Sequence, residues 1–139
     1  MKSVNYPADF KNLDAIREFV GTAARQAGLS GRDVYAVQLA VDEACSNIIE
    51  HAYEGVSNGE IEIGCQAGDG QLTIVIHDHG KEFDISTVRK PNLGRDLSER
   101  EVGGLGVYLI HKLMDEVHFK SSKQTGNTLT LVKKISGDA

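Results

Sequence analysis

Hydrophobic and polar positions divide the chain into helical and extended stretches. Leu13, Ile16, Val20, Ala23 and Ala27 recur in steps of three and four, which predicts an amphipathic helix that Gly28 stops. Val34, Val37, Val41, Ala44 and Ile48 repeat that spacing and predict a second helix. Ser30 or Asp33 suits its N-cap, and it ends near Gly55. From Glu60 the period falls to two. Ile61, Ile63 and Cys65 share one face of a strand over 60–66, and Leu72, Ile74 and Ile76 one face of another over 72–78. Ala67-Gly68-Asp69-Gly70 between them is a hairpin signal. Ser3 to Tyr6 reads as a short edge strand that Pro7 ends.

From Gly80 to Gly104 the periodicity fails. The segment is charged, contains Pro91 and Gly94, and exceeds an ordinary connection; such loops are usually functional or disordered. Leu105, Leu109, Leu113 and Met114 then mark a third helix. Strands over 117–121 and 128–134 close the chain around a turn containing Gly126-Asn127. Helices, hairpin, helix, hairpin is the order of an α+β layer sandwich, not of βαβ units. The 139 residues show no repeat or linker and read as one domain, 1–139.

Composition narrows the function. A net charge of -5 argues against a general nucleic-acid binder, which needs a basic surface. No apolar run is long enough to span a bilayer, and the first residues lack the apolar core of a signal peptide. Cys45 and Cys65 form no CxxC pattern, so two reduced thiols in a cytoplasmic protein are expected.

Three elements carry candidate chemistry. On the second helix, Glu43, Asn47 and His51 form a polar row beside the apolar stripe. An amide oxygen suits Mg²⁺ beside nucleotide phosphates, and a carboxylate can deprotonate a nucleophile. The same row also suits a solvated helix face. Asp78-His79-Gly80 ends an apolar strand; a carboxylate there can accept from an amine such as adenine N6, and the glycine lets a flat ring approach. An ordinary strand-end turn uses the same residues. Gly103-Gly104-Leu105-Gly106 opens the third helix, where free N–H groups attract phosphate. It has neither the Gly-Lys-Ser/Thr ending of a P-loop nor GxGxxG spacing. His51, His77 and His79 offer a weaker alternative, a zinc site, but strand alternation sets Asp78 on the opposite face from its histidine neighbours.

Together and in this order, the three elements resemble the boxes of the GHKL ATPases, which include gyrase, Hsp90 and histidine kinases. The finer resemblance is to the small anti-sigma-factor serine/threonine kinases of bacterial partner-switching systems. It rests on Glu43-Ala44-x-x-Asn47 with His51-Ala52-Tyr53, on Asp78-His79-Gly80-Lys81-Glu82-Phe83-Asp84, and on Gly104-Leu105-Gly106 with Leu109-Ile110 and Leu113-Met114-Asp115-Glu116-Val117. Glu82 stands where many larger members have glycine, and a third glycine of the second box is missing; both are ordinary in the small kinases.

The resemblance implies a mixed, mostly antiparallel sheet covered by helices on one face, with an ATP lid over about 81–103. It implies ATP and Mg²⁺ as cofactors: Asn47 as the metal ligand, Glu43 as the catalytic base, and Asp78 with Gly80 at adenine. His51, Gly104, Leu105 and Gly106 complete the nucleotide site. Arg89, Lys90, Arg95 and Arg100 are lid candidates for phosphate contact, none singled out. The implied protein is a cytoplasmic homodimer that binds a sigma factor and phosphorylates a STAS-type anti-anti-sigma protein. The alternative is a non-catalytic module that sequesters a partner.

Overall fold

The computed structural model describes residues 1–82 and 104–136. Strand β1 (Lys2–Pro7) leads through a 3-10 turn (Phe10–Asn12) into helix α1 (Leu13–Gln26) and then α2 (Gly31–Asn47). A π-helical turn (Ile48–Ala52) extends α2. Hairpin strands β2 (Glu60–Gly68) and β3 (Gln71–Asp78) follow, then α3 (Gly104–Leu113), β4 (Glu116–Ser122) and β5 (Gly126–Lys134).

The sheet order is β1-β2-β3-β5-β4. Every pairing among the described strands is antiparallel, where the resemblance had implied a mixed sheet. The α+β architecture stands. β1 is an edge strand, as its ending at Pro7 predicted, because proline cannot donate to a further neighbour.

Local chemistry sets most element ends. Ser30 caps α2 by accepting from Asp33 N at 3.2 Å, which decides between the two candidate caps. Gly28 takes φ +94° past the end of α1. Asp69 (φ 55°) and Gly70 (φ 75°) form a two-residue turn of the left-handed kind that matches strand twist, so β2 runs to Gly68.

The core lies between the helices and one face of the sheet. Ile16, Val20 and Ala24 of α1 and Val37, Val41 and Ala44 of α2 pack with Ile61, Ile63, Leu72, Ile74, Ile76, Leu129 and Leu131. The third helix departs from expectation. Its buried face is Val107 and Ile110, continued by Met114, whereas Leu109 and Leu113 are only half-buried. This helix is apolar nearly all round, so spacing alone could not select its core face.

Two further expectations fail locally. The second helix does not stay α-helical: Tyr53 N bonds Ile48 O at 3.0 Å, a five-residue step, so His51 leaves the straight row of Glu43 and Asn47. Gly126-Asn127 is not in the last turn but opens β5. The turn falls on 123–125, where Ser122 Oγ accepts from Gln124 N (3.1 Å) and Thr125 N (3.4 Å).

Candidate functional site

The end of α2, its π turn, and the adjoining ends of β3 and β5 enclose a narrow cavity. Asn47, Ala52, Asp78 and Asn127 line it with Phe119 and Leu129. Among the described residues it leaves about 20 Å³ of room for a water-sized group and opens to solvent.

Asp78 is 4% exposed and Asn127 3%, and they face each other in the register of β3 and β5. Asp78 Oδ1 accepts from Gly80 N and from Asn127 Nδ2, both at 2.9 Å. Asn127 Nδ2 also donates to Gly80 O (3.0 Å) and Lys81 O (3.1 Å), and its Oδ1 accepts from Ser121 Oγ at 2.7 Å. One amide thereby ties β3, β4 and the chain leaving β3.

Gly80 is held from its other side. A Cβ there would run into the backbone carbonyl of Ala52, and Lys81 N donates to that same oxygen at 2.8 Å. Its lack of a side chain therefore serves contact with the π turn, not only access for a ring. Gly126 takes φ +85°, and a Cβ there would meet Asp78 O.

Asn47 is 6% exposed, and its Nδ2 has no hydrogen-bond partner among the described residues. A buried amide left unpaired costs free energy, so a water or a ligand group is expected to meet it. One turn earlier, Glu43 is half-buried against α3. A Cβ at Gly106 would lie 2.5 Å from Glu43 Oε2 and 3.9 Å from Asn47 Nδ2. Gly106, in the first turn of α3 after Gly104 and Leu105, thus lies beside both side chains.

Residues 6–133 match the family model of the histidine kinase-like ATPase domain. The chain belongs to this family.

Within the histidine kinase-like ATPases it is RsbW-like. It is 36% identical to the serine-protein kinase RsbW of Bacillus licheniformis over 136 residues, 94% of this chain and 83% of that one. It is 30% identical to RsbW of Bacillus subtilis over 137 residues, 95% and 84% of the two chains. A solved structure of RsbU and RsbW domains from Mycobacterium tuberculosis superposes with TM-score 0.65 and 17% identity, covering all of this chain and 33% of the other. A blue-light activated histidine kinase from Erythrobacter litoralis gives TM-score 0.54 and 16% identity over 93% of this chain and 61% of that one. These two likenesses speak to the fold.

In this histidine kinase-like ATPase domain, burial raises the pKa of Glu43, and the carboxylates of Asp42 and Glu50 raise it further. Asp42 itself pairs with Arg17 of α1 at 3.0 Å. His51 sits on the π turn, outside the cavity lining, with Nε2 3.6 Å from Glu50 Oε2. His77 Nδ1 lies 2.9 Å from Thr128 Oγ1, and Thr128 does not share the inward face of Asn127. The lid candidates Arg89, Lys90, Arg95 and Arg100, together with Phe83, Asp84 and Gly103, lie outside the described residues.

Two residues of this candidate site went unassigned in the sequence. Tyr53 is buried; its hydroxyl accepts from His79 N at 2.8 Å and donates to Glu60 O at 2.7 Å, fixing the end of β3 against the start of β2. Asn127 is the other. A signal for it was present: the alternation of Leu131 and Leu129, carried one step back, sets residue 127 on the face of Ile74, Ile76 and Asp78.

Proposed function

We propose that this chain is an ATP-dependent protein serine/threonine kinase that binds a sigma factor and phosphorylates a STAS-type anti-anti-sigma protein. The observation that carries this reading is Asn47, whose unpaired buried amide lines one cavity with the strand-end carboxylate of Asp78 and, with half-buried Glu43, lies beside Gly106 of α3. Relatedness to serine-protein kinases RsbW supports the same reading.

Each residue then has a task. Among the described residues both hydrogen bonds to Asp78 end on Oδ1, and Oδ2 is the oxygen to accept from the exocyclic amine of adenine. Gly104, Leu105 and Gly106 offer the N–H groups of the helix start to phosphate. Asn47 is the residue to hold Mg²⁺; its side-chain amide lacks a partner, and a half-turn of that amide exchanges donor for acceptor oxygen. The metal, when bound, supplies charge neutralisation on the phosphates. Glu43 takes the proton from the substrate serine, and its raised pKa makes it a better base than an exposed carboxylate. His51 lies at the margin of this site.

A purely sequestering module has no use for a half-buried base beside a phosphate site, so Glu43 favours catalysis over the binding-only alternative. The family expectation adds a homodimer acting in the cytoplasm. Among the described residues no helix is long and apolar enough to cross a membrane. Transfer of labelled phosphate from ATP to a STAS-type partner tests the reading; nucleotide binding with no transfer would favour the sequestering module.

A further inference from the structure

We infer that Asn127 is a positioning residue for adenine recognition, holding Asp78 as an oriented acceptor and fastening the chain that leaves β3 beneath it. The inference rests on the ATP reading above.

The geometry is specific. Asn127 Nδ2 lies within 2.9–3.1 Å of three acceptors on two segments: Asp78 Oδ1, Gly80 O and Lys81 O. The Ser121 hydroxyl, donating to Asn127 Oδ1 at 2.7 Å, decides which way round the amide sits. Reversed, it would aim an oxygen at three oxygens. All this happens where Asn127 is 3% exposed and lines the same cavity as Asp78. A buried carboxylate needs donors to hold its charge and direction. Among the described residues Asp78 has two, and Asn127 is the only side chain of the pair. An ionised carboxylate only accepts, so it takes the amine of adenine and rejects the carbonyl that guanine presents there. Loosening Asp78 should therefore cost selectivity as well as affinity.

The test compares the wild type with Asn127→Ala and Asn127→Asp by calorimetric titration with Mg·ATP and Mg·GTP, with circular dichroism as the check on folding. Wild type should prefer ATP; if it binds neither nucleotide, the ATP reading falls, independently of Asn127. In Asn127→Ala, ATP affinity should drop about ten-fold or more and the ATP/GTP ratio should shrink. Asn127→Asp keeps size and shape but sets a carboxylate against Asp78. Its ATP affinity should fall further than that of the alanine variant at neutral pH. It should then recover, relative to wild type at equal pH, as acid supplies the proton the two carboxylates share. That shared proton would stand in for the lost amide donor. Tyr53 and Cys45, which feel the charge of Asp78, and the exposed His79, whose Nδ1 lies beside Gly126, are common to both proteins, so the ratio cancels them. An Asn127 that only packs the strand predicts the reverse: the isosteric aspartate binds better than alanine, with a pH-independent ratio and an unchanged ATP/GTP preference. That result would overturn the assignment. Should Asn127→Ala fail to fold, the pH recovery of Asn127→Asp decides alone.

Discussion

The carboxylate of Glu43 fills the space in which a side chain at Gly106 would begin: a Cβ there would lie 2.5 Å from Glu43 Oε2. Gly106→Ala should displace the Glu43 carboxylate and cut phosphotransfer; because only the flexible end of that side chain has to move, unfolding free energy should change by less than about 1 kcal/mol. In a Glu43→Ala background the same substitution should cost little. Non-additivity of the two substitutions in residual phosphotransfer would register the contact, and additivity would deny it.

Glu43→Gln separates catalysis from binding. Phosphotransfer should fall by about 10²–10⁴-fold while ATP affinity stays near that of wild type. The stability effect has a definite sign. A carboxyl with its folded pKa above its unfolded one binds protons more tightly when folded, so its ionisation penalises the fold. That penalty is complete above the folded pKa and vanishes as pH falls below the unfolded one. Glu43→Gln should thus stabilise the apo protein at neutral pH, with the gain lost across the carboxylate range. Urea midpoints across that range check this; a gain that grows in acid would contradict it.

Asn47→Ala should remove Mg²⁺-dependent ATP binding without loss of fold. Because its Nδ2 is buried without a partner, the apo variant should keep its stability to within about 1 kcal/mol. Thermal unfolding with and without Mg·ATP reads both at once: the apo midpoint holds, and the nucleotide-induced rise disappears.

Cys45 and Cys65 are both free and buried. Burial raises the thiol pKa of each, that of Cys65 to about 11. The thiolate is the reactive form, so neither should alkylate in the native protein near pH 8, and both should label in denaturant. Native labelling of Cys45, inside α2, would contradict its packing.

Signals local to the chain were legible in the sequence. The Ser30 cap, the Gly28 stop, the Asp69-Gly70 turn and the alternation of Ile61/Ile63 and Ile74/Ile76 each depend on neighbouring residues only. The missed features depend on distant partners. Gly126-Asn127 carries a strong turn signal, but the Ser122 hydroxyl claims the turn and frees Asn127 for Asp78, which lies 49 positions away. Gly126 is left-handed for its close approach to Asp78 O. The π turn that displaces His51 lets Ala52 O receive Lys81 N, again a long-range bond. Glu43, Asn47 and Asp78 were legible as residue types; that Glu43 and Asn47 meet Gly106 while Asn47 and Asp78 share a cavity required the fold.

The most direct measurement is transfer of the labelled γ-phosphate of ATP to a STAS-type protein encoded by the same organism, comparing wild type with Asn47→Ala. The account predicts label on a serine or threonine of the partner with wild type and none with the variant, both proteins being folded. Full transfer by Asn47→Ala, or ATP bound by wild type with no label reaching any such partner, would contradict it.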